Sequence, residues 1–247
     1  MNKRVALISL IVAALSALGG FLLANAFNRA SLDELRGENE RLRAAAEGTS
    51  KSEGEFTLSE VEIRRKVEEA DAIPGDFTFQ KNLGTALYRY GSLRQDAGVI
   101  QEAQRLLERA AKLNSGDASV QLALGNSYFD RGYIERQNTF FERAREIYRS
   151  ILANDPQNAA VRTDLGLTYF LQDPPDLNNA AEHLETALAI DSKNERNLQF
   201  MVQVYWRLKQ PEKAAERLER LKQVSPDSPA INELATLLTT DPNASAQ

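Results

Sequence analysis

The feature that most constrains this chain is that it repeats itself. Four segments align without gaps: KNLGTALYRY (81–90), LALGNSYFDR (122–131), TDLGLTYFLQ (163–172) and QFMVQVYWRL (199–208). The pairs Leu83-Gly84, Leu124-Gly125 and Leu165-Gly166 stand 41 residues apart, and Met201-Val202 takes the fourth place 36 residues on. Each segment is followed by a second amphipathic stretch: EAQRLLERAAKLN, RAREIYRSILANDP, NAAEHLETALAIDS and KAAERLERLKQVSP. Two helix-spaced apolar stripes per unit, repeated at this period, mark a solenoid. One such unit cannot bury its apolar surface alone, so the units must stack.

The residues that recur resemble those of the tetratricopeptide repeat family. That family pairs a helix A bearing Leu-Gly-x-x-Tyr with a helix B bearing small and large residues at helical spacing, closed by Pro. Here the first signature stands as Leu124-Gly125-Asn126-Ser127-Tyr128 and Leu165-Gly166-Leu167-Thr168-Tyr169. The small residues of helix B are Ala103, Ala110, Ala144, Ala180, Ala187 and Ala214, the large ones Leu107, Tyr148, Leu184 and Leu218, and the closing prolines Pro156 and Pro226. The resemblance implies an all-α fold, a right-handed α-α superhelical solenoid of about four units over residues 76–227 (76–116, 117–157, 158–193 and 194–227).

The chain departs from the family in length. The usual unit has about 34 residues. The first two have 41, with the surplus around Gly91–Ile100 and Gly132–Thr139, which predicts helices lengthened by about one turn each at one edge of the solenoid. The third carries a surplus at Gln172-Asp173-Pro174-Pro175-Asp176, which reads as a loop. Thr57 and Glu60 read as a capping box opening a capping helix within 57–75, and Pro229 onward reads as a closing helix within 228–240, followed by a disordered tail at 241–247.

Much of the remaining apolar content lies at the front. Val5 to Ala26 carries no charge. Its 22 residues would span roughly 33 Å as a helix, enough for a bilayer core of about 30 Å. Residues 1–27 are expected to be a transmembrane anchor, or else a signal sequence cut after Ala24-Asn25-Ala26. Residues 28–56 read as a juxtamembrane helix and a flexible linker. Either reading starts from an export signal. The expectation is therefore a single-pass protein of a bacterial inner membrane with the repeats in the periplasm, or a cleaved protein secreted to the periplasm.

The resemblance also implies a binding face. In the family, the inner faces of the A helices line a concave groove. Carried over from the Leu-Gly pair, the groove positions are Lys81, Thr85, Tyr88 and Arg89, then Asn126, Phe129 and Asp130 beside Leu122. The third and fourth units add Thr163, Leu167 and Phe170 beside Leu171, and Gln199, Gln203, Trp206 and Arg207. Tyr88, Phe129, Phe170 and Trp206 share one register position, either as an aromatic ladder exposed to a partner or as packing between helices. One branch of the family grips a terminal carboxylate with Lys and Asn. Only Lys81 matches that pattern, so no such clamp is expected.

The chemistry outside the repeats is sparse. The chain has 247 residues, no cysteine and one histidine, which excludes thiolate and multi-histidine sites. His183 sits mid-helix between charged neighbours and reads as a surface or groove-edge residue. Carboxylates interleave with Lys and Arg, as on solvated helix faces. No nucleophile elbow or phosphate-binding loop occurs, and a pI of about 5.2 argues against nucleic acid. No catalytic residue, cofactor or metal site is expected. The expected function is non-enzymatic: a membrane-tethered scaffold or assembly factor holding a protein or peptide ligand. By analogy it serves cytochrome c maturation or another envelope complex. The alternative is a holdase for exported polypeptides.

Overall fold

The computed structural model describes residues 59–239. The expected anchor, linker and tail lie outside the described residues. Among the described residues there are ten helices and no strand: α1 (Glu60–Ala72), α2 (Phe77–Arg94), α3 (Ala97–Leu113), α4 (Ala118–Glu135), α5 (Asn138–Asn154), α6 (Ala159–Leu171), α7 (Leu177–Ile190), α8 (Glu195–Arg207), α9 (Pro211–Val224) and α10 (Ala230–Leu238). The even helices α2 to α8 are the A helices, and the odd ones α3 to α9 the B helices. Each A helix packs most closely on its own B helix and next on the B helix before it, and the closer A–A neighbours touch as well. Contacts run only along the stack, as expected of a solenoid.

The sequence sets where each helix begins. Asp76, Asp96, Asp117, Asn158, Asp176 and Asn194 are N-caps whose side chains accept from the backbone N–H three residues on. Each satisfies a donor that the first helical turn leaves without a partner. The opening cap corrects the sequence reading. The capping box of α1 is Ser59 with Glu62, two residues later than Thr57 with Glu60. Both pairs fit the pattern, and the later one places Ile63, Val67 and Ala70 toward α2 and α3.

Within each of the first three repeats the core is built at a glycine. A Cβ on Gly84 would stand 3.0 Å from Leu107 Cγ, on Gly125 2.8 Å from Tyr148 Cε1, and on Gly166 2.9 Å from Leu184 Cγ. The large helix B residues fill the space that the missing side chain leaves. Leu107, Tyr148 and Leu184 are all fully buried.

The surplus residues lengthen both helices of the first two repeats. α2 and α4 have 18 residues against 13 in α6 and α8, and α3 and α5 have 17 against 14 in α7 and α9. Each extension carries a second glycine, Gly91 or Gly132. There a Cβ would stand 2.9 Å from Ile100 Cγ1 or from the Phe141 ring. Gln95 and Arg136 then end the two helices in the left-handed region, both at φ 53°. In the third repeat, Asn138 pins the loop instead. Its amide donates to the Asp173 carbonyl at 2.6 Å and accepts from the Asp173 N–H at 3.0 Å.

Gly132→Ala is therefore expected to destabilise the fold. Phe141 is 1% exposed, and its ring cannot step aside as a flexible side chain would. Overpacking of about 1–3 kcal/mol outweighs a helix-propensity gain of up to ~1 kcal/mol. The midpoint of urea unfolding should fall. Gly75→Ala, with nothing within 4 Å of the added methyl, should leave it unchanged or slightly raised.

Candidate functional site

The predicted groove positions divide into two groups. Tyr88, Asn126, Phe129, Asp130, Thr163, Leu167, Phe170 and Trp206 are buried, none more than 7% exposed. Lys81, Thr85, Arg89, Gln199 and Gln203 are half-buried, and Arg207 is exposed. The aromatic ladder is thus a packed one: of the two readings that its register left open, the rings take the one in which they pack between helices. Phe129 meets Phe141 of its own B helix edge to face, with ring centres 5.8 Å apart. Phe170 meets Phe200 of the next A helix in the same way at 5.6 Å. Tyr88 donates its hydroxyl to Asp130 of the next A helix at 3.0 Å. A ring at this position gains more from its neighbours than from solvent.

What remains accessible is carried mainly by α2 and α8. Lys81 is held by an ion pair to Asp117 at 2.8 Å, and Asp117 also caps α4. Burial pushes the Asp117 carboxyl up, but the Lys81 ammonium, the Ser119 hydroxyl and the Val120 N–H outweigh it and hold it down at about 2. Lys81 therefore ties the first repeat to the second. Gln199 likewise donates to Glu195 at 2.9 Å and to Ser228 at 3.2 Å, fastening α8 to the segment before α10. Arg207 stacks over Phe170, its guanidinium 4.5 Å from the ring centre. Thr85, Arg89, Gln203 and Arg207 are the predicted positions with most freedom to meet a partner.

Two arrangements were not legible as sites in the sequence. The first is a buried polar seam along the A helices. Asp130 accepts from Ser92 at 2.7 Å as well as from Tyr88, Tyr148 donates to Asn126 at 2.8 Å, and Asp164 pairs with Arg196 at 2.6 Å. Asn197 donates to Thr163 at 3.2 Å and to the Leu184 carbonyl at 2.9 Å. Burial raises the Asp164 carboxyl above its ordinary value, against the pull of Arg196.

The second is a clip repeated at each junction. Tyr128 donates to Glu108 at 2.6 Å, Tyr205 donates to Glu185, and Tyr169 accepts from Arg149. Each tyrosine reaches the residue 20 places before it, on the B helix of the preceding repeat. The signal available in sequence was that all three of those positions are charged. His183 stacks on the Tyr169 ring at 5.5 Å, and burial holds its imidazole below the usual range. It is a packing residue at this junction.

A step marks the border between long and short repeats. There an open cavity of about 470 Å³ is lined by Gln95, Tyr133, Arg136, Asn138, Leu171 and Asp173, among others. Among the described residues no cluster of carboxylates and histidine is placed to hold a metal ion.

The Asp164–Arg196 pair gives the seam a measurable weight. Arg196→Met leaves a carboxylate that is 6% exposed without its cation. The expected cost is about 3–5 kcal/mol in urea unfolding. Adding Asp164→Leu should recover most of it, because an apolar pair replaces the pair of charges.

Two tetratricopeptide repeat models match the chain, one over residues 129–195 and one over 175–238. Among solved structures the chain resembles MamA, residue 41 to the end, from Desulfovibrio magneticus RS-1. The identity is 20% and the TM-score 0.54, covering 68% of this chain and 88% of that one. A thermophilic tetratricopeptide repeat protein of Thermus thermophilus resembles it at 16% identity and a TM-score of 0.53, covering 72% of this chain and 97% of that one. At such identities the likeness is one of fold. No curated protein gives a significant match. The stacking of the helix pairs and both models agree over one stretch: residues 129–238 match the tetratricopeptide repeat.

Proposed function

We propose that this protein is a non-enzymatic scaffold, tethered to a membrane by residues 1–27, that holds a protein or peptide partner on the A-helix face of its solenoid. The observation that carries the reading is the stacked array itself. Four A helices stand side by side, and each brings the same register positions to one face. Such a surface is long, and its chemistry is varied unit by unit without disturbing the core. Thr85, Arg89, Gln203 and Arg207 are the contact residues this reading favours.

The tether is supported by the uncharged run Val5–Ala26, and the 33 residues from 27 to 59 separate it from α1. A spacer of that length lets the solenoid stand clear of a bilayer surface and search for a partner near it. On this reading the repeats lie on the periplasmic side of a bacterial inner membrane and serve the assembly of an envelope complex.

The test is photo-cross-linking in intact membranes. A cross-linking residue at Gln203 or Arg207 should give one dominant adduct. The same residue at Glu142, exposed on α5, should give none. Adducts from Glu142 with none from α8 would move the binding face off the A helices and overturn the reading. Deletion of residues 1–27 should release the protein from the membrane fraction, and retention would remove the tether.

A further inference from the structure

We propose that Asp130 makes the junction of the first two repeats a pH-dependent joint. Its protonated carboxyl holds α2 packed against α4, and ionisation loosens that contact.

The geometry is unusual for an acid. Asp130 lies on α4 and is 0% exposed. One oxygen, Oδ2, takes both hydrogen bonds that reach the group, from Tyr88 at 3.0 Å and Ser92 at 2.7 Å, and both donors come from α2. The other oxygen, Oδ1, is sealed from solvent and has no hydrogen-bond partner among the described residues. An ionised carboxylate accepts at both oxygens, so half of this one is unsolvated and unpaired. Among the described residues no cation touches it. Arg196 of α8 attracts it from a distance but is committed to Asp164 of α6 at 2.6 Å. Asp164 itself repels it. Tyr148 of α5 gives its hydroxyl to Asn126. The remaining route to hydrating Oδ1 is separation of α4 from α2.

The electrostatics of the group agree with the geometry. Burial pushes the Asp130 carboxyl up to about 6, against the downward pull of Ser92, Tyr88 and Arg196, from an ordinary value of 3.8. The packed form therefore binds the proton more tightly than an opened form in which the group is hydrated. Its advantage is complete below about 4 and is lost as the pH rises through about 6. Two units of difference correspond to a change of roughly a hundredfold in the ratio of packed to open. The joint sets how Thr85 and Arg89 on α2 are presented relative to the rest of the A-helix face.

The chain has no cysteine, so two introduced ones label cleanly. Spin labels at Ala86→Cys on α2 and Ala118→Cys on α4, both exposed, report the spacing of these helices in the full-length protein by dipolar spectroscopy from pH 5 to pH 8. One narrow distance is expected at pH 5, with a longer component growing in with a midpoint near 6. Asp130→Asn should keep the narrow distance throughout. Ser92→Ala removes a donor that favours the ionised form and should move the midpoint upward. The proposal is overturned if the wild-type distances do not change with pH, or if D130N keeps the wild-type profile. If D130N does not fold, as judged by circular dichroism, the direction of the S92A shift decides, and an unmoved midpoint overturns it.

Discussion

At Gly125 any side chain larger than hydrogen would meet the ring of Tyr148 at 2.8 Å, and the same close approach recurs at Gly84 and Gly166. The architecture descends from this contact. It sets how near each A helix lies to its B helix, and so whether the large residue of helix B can be fully buried between them. Because the unit is repeated, each helix pair stacks on the next, and the stack grows without a central core. The hydrophobic clusters show this: buried residues are linked along the chain from Val67 to Leu234 in two contiguous groups, and Tyr128 packs against both.

Polar groups then fix what the apolar contacts leave free to slide. Two apolar helix faces tolerate small rotations at little cost, because dispersion is not directional. A hydroxyl that must meet one charged group 20 residues earlier does not. Tyr128, Tyr169 and Tyr205 each bury a ring in the junction and use the hydroxyl as a registering pin. The contact of α1 with the first repeat lacks such a pin, since Leu87 occupies the corresponding place on α2. There α1 is tied on by its terminal carboxylate. Asp71 accepts from Arg105 at 2.6 Å and from Arg109 at 2.5 Å.

The class of fold was legible because it rests on periodic apolar residues and glycines, which a sequence displays directly. The lengthened helices were legible for the same reason, since a surplus of about seven residues around Gly91 and Gly132 fits two added helical turns. The state of the aromatic ladder was not. Register alone placed Phe129 and Phe170 on one face of their helices, but whether that face is covered depends on Phe141 and Phe200, which belong to other helices. The start of α1 was missed by two residues because Thr57 and Ser59 both precede an acid at the capping distance, and the choice is made by packing of Ile63 and Val67. The seam from Asp130 to Arg196 was invisible in sequence. It joins residues of different repeats at different register positions, so no periodic signal marks it.

In a stack whose contacts reach only to neighbours, energy placed at one junction is felt elsewhere only through the helices between. The seam is an exception in kind. Asp130, Asp164 and Arg196 lie on three successive A helices and act on one another through charge, which needs no contact and is weakly screened where water is absent. A proton gained at Asp130 removes its repulsion of Asp164, and Asp164 holds Arg196 at the start of α8. Thus the end of the molecule that carries Gln203 and Arg207 is joined to the end that carries Thr85 and Arg89 by buried charge as well as by packing. A solenoid that relied on packing alone would present its two ends independently. The buried charges give this one a means of presenting them together.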